Sequence, residues 1–420
     1  MKSTRKLLCL AAAAAIAAGC ASAGRNQPFR PGADLPYPPA EAPKSEDIYH
    51  VPTGLKLTMN DAMDMASGAR LVCIGETHDN YNAQRVELIV IRDMYLRNPG
   101  KIAIGMEMFR EPQQPVLDKW VKGGFPDETE FLRAVKWYGN EGWGFDYAYY
   151  RDILAFAREK GIDVIALNPS RELETQVSRS GLDNLAPALR EKLPAIGQPD
   201  PIQREVLKGI FGGHGMASGA GLDGFIRTQT LWEETMADRI VSYLRSPRGE
   251  NKRVVTITGG WHVRYGFGLP KKVVKRMPMP YTIIVPEEIG PPEDKSAGQT
   301  MDVDLPTVPL LPEDLVWFVN YESYEGRRVR IGARLEEKKD GEVVIEGIVP
   351  GSPGEKAGLR KGDRIFSIDG APVKESFDVI HAVAGKTEGD TVTLVVRNDG
   401  QERTVPVKLF KIEHGTGMKK

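Results

Sequence analysis

Short apolar runs alternate with longer amphipathic stretches from about residue 47 to residue 290. The short runs RLVCIG (70–75), KIAIGMEMF (101–109), DVIALN (163–168), RVVTITG (253–259) and YTIIVPEE (281–288) are rich in β-branched and other apolar residues, which predicts buried strands. Between them, NAQRVELIVIRDMYLR (82–97), YYRDILAFAREKG (149–161), IQREVLKGIF (202–211) and TQTLWEETMADRIVSYLRS (228–246) carry a helical period. Strands joined by crossovers of this length predict βαβ units, hence an α/β domain whose mostly parallel sheet is flanked by helices. In such sheets ligands sit beyond the carboxyl ends of the strands.

The pattern breaks at PPEDKSAGQTMDVDLPTVPLLP (291–312), and residues 291–327 read as a linker. Beyond it RRVRIGARLEE, VVIEGIVPGSP, KAGLRKGDRIFSIDG and DTVTLVVRNDG predict short strands broken by glycine turns, with one helix over FDVIHAVAG (377–385). This predicts a second, small, mostly β module over 328–410, within the size range of an independent domain.

The N-terminal stretch has a different logic. MKSTRK is a basic n-region, LLCLAAAAAIA an apolar h-region too short to span a membrane, and small residues precede Cys20. Ala17-Ala18-Gly19-Cys20 resembles a bacterial lipobox, so residues 1–20 are expected to be a lipoprotein signal with Cys20 as the lipidation site. Residues 21–46, with six prolines in RNQPFRPGADLPYPPAEAP, read as an extended tether. The expected location is the bacterial cell envelope, anchored by lipid. Ala21 offers no acidic retention signal, which points to the outer membrane. Removal of Cys9 with the signal and acylation of Cys20 would leave Cys73 as the only thiol, a small buried strand residue with no assigned chemistry. Charge adds little: Lys+Arg 56 against Asp+Glu 57 gives a net −1 and no global pull toward nucleic acid.

Three of the predicted strands end on polar groups. IGETHDN places Glu76 and His78 after an apolar run, on one side and about 7 Å apart if extension continues. IGMEMF encloses Glu107 among Met106, Met108 and Phe109, and TITGGWHVRYGFG brings two glycines and then His262. Each alone has a structural reading, a satisfied turn histidine or a helix cap near Pro112. In one parallel sheet their ends share a rim, and the set can serve as base and orienter or as metal ligands. GIFGGHGMASG (209–219) adds His214 on a glycine-rich loop. WYGNEGWGFDYAYYRDIL (137–154) packs seven aromatics into fourteen positions, suited to core filling or to the wall of a large flat ligand. HExxH, G-x-S-x-G, CxxC and Walker signatures do not occur.

These segments together (IGETHDN, GMEMF, the aromatic run, IALN, the H.M...Q..W.ETMA stretch and GGWHVRYGFGLP) resemble, in order, the ChaN family of haem-binding lipoproteins, distantly similar to Tiki/TraB-type metallopeptidases and erythromycin-esterase-like hydrolases. The resemblance covers roughly residues 47–290. It implies a single α/β domain, haem as cofactor and a link to iron uptake. Its motif positions fall on Glu76, His78, Glu107, His214, Gln229 and His262, with Trp232, Glu234 and Met236 in the adjoining helix. A tyrosinate can hold ferric haem iron, and Tyr265, Tyr149 and Tyr150 are the candidates, with His214 and His262 beside them. The His-Gly-Met spacing at 214–216 departs from the family pattern. In the related hydrolases the strand-end residues bind a divalent metal or act as base. That leaves an alternative: a metal-dependent hydrolase or peptidase with Glu76, His78, Glu107 and His262 as catalytic residues and Glu76, His78 and His262 as metal ligands. A homodimer sharing the ligand is compatible with either reading.

The C-terminal RIGARLEE and PGSPGEKAGLRKGDRIFSIDG are similar to a bacterial PDZ domain. The loop at Ile331-Gly332-Ala333 can offer backbone N–H groups to a terminal carboxylate, and the strand after it can add a partner's C-terminal or extended peptide by β-augmentation.

Overall fold

The computed structural model describes residues 37, 39, 41–138, 142–198, 200–213, 220–289, 305–324, 329–338 and 341–411. The predicted strands form within a residue of their expected bounds: β3 (Leu71–Glu76), β4 (Ile102–Arg110), β5 (Asp163–Asn168), β6 (Arg253–Gly259) and β7 (Tyr281–Glu288), preceded by β1 (Ile48–His50) and β2 (Leu55–Leu57). With β8 (Leu315–Val319) they make one eight-stranded sheet in the order β2-β1-β8-β7-β3-β6-β4-β5. Every pairing from β8 to β5 is parallel, while β1 pairs antiparallel with both β8 and β2.

Strand alternation separates two cores. Val72 and Ile74 of β3 face one side, with Ile104 and Met106 of β4 and Val255 and Ile257 of β6. They meet α2 (Tyr81–Arg97), α3 (Gln114–Val121), α4 (Glu128–Val135) and α5 (Arg151–Lys160), which follow α1 (Met59–Ser67). Leu71, Cys73, Ala103 and Val254 face the other side. There they meet a 26-residue helix (Ala220–Arg245, called αL below) and the helix Leu269–Arg276 (αM). Helical period in αL places Met236, Ala237, Ile240, Val241 and Leu244 on that sheet face. Burial pushes the Cys73 thiol up to about 12, so it is an inert core thiol.

The linker expected over 291–327 requires a correction. Leu315–Val319 is an interior strand, buried at all five positions, that inserts between β7 and β1. A continuous apolar run suits a strand covered on both faces. The first domain therefore extends to at least Val319.

The second domain is an antiparallel sheet in the order β14-β13-β11-β10-β9, with β12 (Ala371–Pro372) paired to β11. Its strands are β9 (Ala333–Glu337), β10 (Val343–Ile348), β11 (Arg364–Ile368), β13 (Thr391–Asn398) and β14 (Gln401–Lys408), and it has a core of its own. Its main helix, Ser376–Ala384 (αP), turns Val379 and Val383 inward. The outer side of αP rests on the first domain. Phe377 joins the first domain's core, Arg133 binds Glu375 and Asp378, and the Tyr138 ring lies 6.0 Å from Phe377.

Candidate functional site

The carboxyl ends of β3, β4 and β6 form one rim, on which Glu76 stands opposite Gly259 in register. His78 does not continue the strand. Its φ of 72° is left-handed, which turns the ring back so that Nδ1 lies 2.8 Å from Glu76 Oε1, instead of projecting in parallel. Glu76, 3 % exposed, also accepts from the Tyr150 hydroxyl at 2.7 Å and from the Gln84 amide. Behind it Glu87 is wholly buried in α2. Burial and the neighbouring Glu76 hold its carboxyl well above the usual range. His78 is pushed up overall: burial disfavours its cation, but Glu76 and Glu107 outweigh that. Trp143 and Phe145 wall its ring at 5.1 and 5.4 Å.

The second half of the rim belongs to β4 and β6. Glu107 Oε2 accepts from the Gly259 amide at 2.7 Å, and its Oε1 lies 3.5 Å from His262 Nε2. On the ring's other side the Gln229 amide is 2.9 Å and Glu233 Oε1 3.6 Å from Nδ1. Lys272 donates to Glu233 at 2.7 Å, and Gln203 at 2.8 Å. Burial opposes every charge here, but the partners prevail. His262 is raised to about 10 by Glu107 and Glu233, Glu107 is lowered to about 2 by His262 and His78, and Glu233 is lowered to about 2 by Lys272 and His262. The two halves meet over Gly259, where a Cβ would lie 2.9 Å from His78 Nε2 and 3.7 Å from Glu107 Oε2. A glycine at that strand end is what lets the histidine approach.

The structure thus brings Glu76, His78, Glu107 and His262 to one rim. It does not support the divalent-metal alternative. Among the described residues no group of three or more His, Cys, Asp and Glu side chains is placed to hold a metal ion. The carboxylates are engaged by Tyr150, Gln84, the Gly259 amide, Lys272 and the histidines themselves. Sequence reading missed Gln84, Glu87, Gln203, Glu233 and Lys272. Gln84 and Glu87 carried a signal, two polar residues three apart on the otherwise apolar buried face of an amphipathic helix.

The candidate tyrosines separate. Tyr150 is fully buried with its hydroxyl on Glu76, and burial beside Glu76 and Glu87 pushes its phenol far up, against a phenolate. Tyr149 is buried too, donating to the Asp79 carbonyl at 3.1 Å and accepting from the Tyr324 amide at 2.8 Å. Tyr265 lies elsewhere. It is partly exposed and packs with Trp261 and Phe267 on an apolar cluster of Val206, Leu207, Ile210 and Ile226. Its φ of 59° and ψ of 5° are left-handed, a conformation that costs an aromatic residue on the order of 1–3 kcal/mol and persists where the surroundings over-determine it. Beside it, Arg264 is raised well above its usual range by Glu287 and Glu313 despite burial. His214 and Cys20 lie outside the described residues.

In the second domain Ile331 is buried and Gly332 has a φ of 77°. Their carbonyls accept from Gly354 at 2.7 Å and Val349 at 2.8 Å, which fixes the loop ahead of Ala333. Strand β9 is the edge of its sheet, the position from which β-augmentation proceeds.

Two family models match. Residues 62–273, half of the chain, match "Haem-binding uptake, Tiki superfamily, ChaN", and residues 329–409 match the PDZ domain. Among solved structures, the ChaN of Campylobacter jejuni, described as showing cofacial heme binding, is 14% identical with a TM-score of 0.49, covering 66% of this chain and 97% of that one. Curated relatives include a probable CtpA-like serine protease of Staphylococcus haemolyticus, 38% identical over 93 residues (22% of this chain, 18% of the relative). A putative zinc metalloprotease of Mesorhizobium japonicum is 42% identical over 64 residues (15% and 17%). The chain thus spans less than a fifth of the length of these relatives. On the match over residues 62–273, the chain belongs to the ChaN haem-binding uptake family of the Tiki superfamily, with a PDZ domain following.

Proposed function

We propose that this chain is a haem-binding lipoprotein of the bacterial cell envelope, held through Cys20 on the outer membrane and serving haem or iron uptake, whose PDZ domain takes the C-terminus of a partner protein. The observation that carries the haem reading is Tyr265. It combines a phenol, an apolar and aromatic bed and an adjacent guanidinium. Ferric porphyrin suits that set: the phenolate is a hard anionic ligand for the iron, and the partly exposed Trp261 and Phe225 rings on the cluster offer the macrocycle an apolar face. Tyr265 would hold the iron, Trp261 and Phe225 would flank the ring, and Arg264, tied to Glu287 and Glu313, would fix the loop beside the phenol. When bound, haem supplies a ferric iron centre.

Haemin added to the chain lacking residues 1–20 is expected to give a saturable Soret shift at micromolar concentration. No shift would overturn the reading. The anchor has its own test. A Cys20→Ser variant expressed in a bacterium with an outer membrane should move from the membrane to the soluble fraction, and equal membrane recovery of both forms would contradict lipid anchoring.

The hydrolase alternative has no metal-holding group among the described residues. The Glu76/His78 and Glu107/His262 pairs are closed on each other and act in this reading as the structural keystone of the rim.

A further inference from the structure

Residues 305–314 lie beyond the stretch matched by the ChaN family model and cross the loop that carries Tyr265. Leu305 and Val308 pack into the same apolar cluster as Tyr265, Trp261 and Phe267. The Pro312 carbonyl accepts from the Tyr265 amide at 2.8 Å. Glu313, 4 % exposed, accepts from one terminal nitrogen of Arg264 at 3.2 Å, and Glu287 at the end of β7 takes the other. The strap's far end is fixed to the sheet. Asp314 accepts from the Ile283 amide at 2.7 Å and donates its own amide to the Ile283 carbonyl at 3.1 Å, just before β8 begins.

We propose that this strap is a positioning element for the haem ligand: Pro312 through the backbone, and Glu313 through Arg264, hold Tyr265 in the conformation that aims its phenol. The inference rests on the reading of Tyr265 as the iron ligand. Two features separate it from simple packing. Strap contacts fall on the residue with left-handed backbone and on its immediate neighbour, where over-determination is needed. Furthermore, a strap that only covered apolar surface would have no use for a buried carboxylate. Burial, with Glu287 and Asp314 nearby, raises the Glu313 carboxyl to about 7 despite Arg264, a cost that apolar cover alone would not bring. Its partner is the guanidinium adjoining the phenol.

The test is a double-mutant cycle in the full chain, read by Soret titration with haemin, by the iron–phenolate band in resonance Raman, and by thermal unfolding without haemin. Glu313→Gln should weaken haemin binding about tenfold, the scale of coupling between contacting residues, and shift the Raman band. In a Tyr265→Phe background the same change should have no further effect, because the strap acts through that phenol. An Arg264→Leu/Glu287→Leu/Glu313→Leu triple, which replaces the whole buried ion cluster by apolar groups, should keep the fold and still show the loss. Unchanged affinity in Glu313→Gln, or an equal loss with and without Tyr265, overturns the strap's role. Absence of haemin binding by the wild type, or undiminished binding by Tyr265→Phe alone, instead overturns the ligand reading beneath it.

Discussion

Replacing Tyr265 with phenylalanine is expected to lower ferric haem affinity about 100-fold, equivalent to about 2.7 kcal/mol, and to abolish the phenolate charge-transfer band. The substitution deletes one oxygen and keeps the ring, so the packing of Trp261, Phe267, Val206 and Ile210 around it is retained. Thermal unfolding without haemin should shift by only a few degrees, within the range for a change of about 1 kcal/mol. Tyr149→Phe is the internal control. Its hydroxyl serves the Asp79 carbonyl and the Tyr324 amide inside the core, so its loss should appear as lower stability with haem affinity intact. If Tyr149→Phe loses haemin and Tyr265→Phe does not, the iron ligand has been placed in the wrong half of the domain.

Why Tyr265 stands apart from the other tyrosines was only partly legible in the sequence. Apolar runs placed the strands β3 to β7 within a residue, because strands covered on both faces leave long hydrophobic stretches. Parallel topology by itself then puts Glu76, Glu107 and His262 on one rim. What stayed hidden was set by long-range contacts. LVWFV carries the same apolar-run signal, but its proline-rich approach masks it as a linker, and its place between β7 and β1 follows only from long-range pairing. Neither left-handed turn is marked by a glycine; histidine enters that region more readily than most side chains, so His78 breaks no rule, but a bulky aromatic such as Tyr265 is an outlier there that local rules do not predict. In the aromatic run the core-filling reading accounts for four of the seven rings. Trp137, Tyr147, Tyr149 and Tyr150 fill the core, while Trp143 and Phe145 wall His78.

The rim that this topology builds should reveal itself through pH. Glu107 faces His262 at 3.5 Å with both side chains buried, so Glu107→Gln leaves an imidazolium without its nearest counter-charge. A loss of about 3 kcal/mol in unfolding free energy is expected near pH 6, at the lower end of the range for a broken buried pair, since Glu233 still faces the ring. The two shifts describe one attraction and are not added. Glu107 is lowered from 4.5 to about 2, so its contribution is complete above pH 4.5 and lost as pH falls toward 2. His262 is raised from 6.5 to about 10, so its contribution is complete below pH 6.5 and lost as pH rises toward 10. The difference between wild type and variant should therefore be largest between pH 4.5 and 6.5 and shrink on either side. Urea unfolding midpoints from pH 3 to pH 9 measure it. A difference that stays constant across that range would mean that the glutamine is felt through shape alone, and that the rim of this sheet is not held by charge.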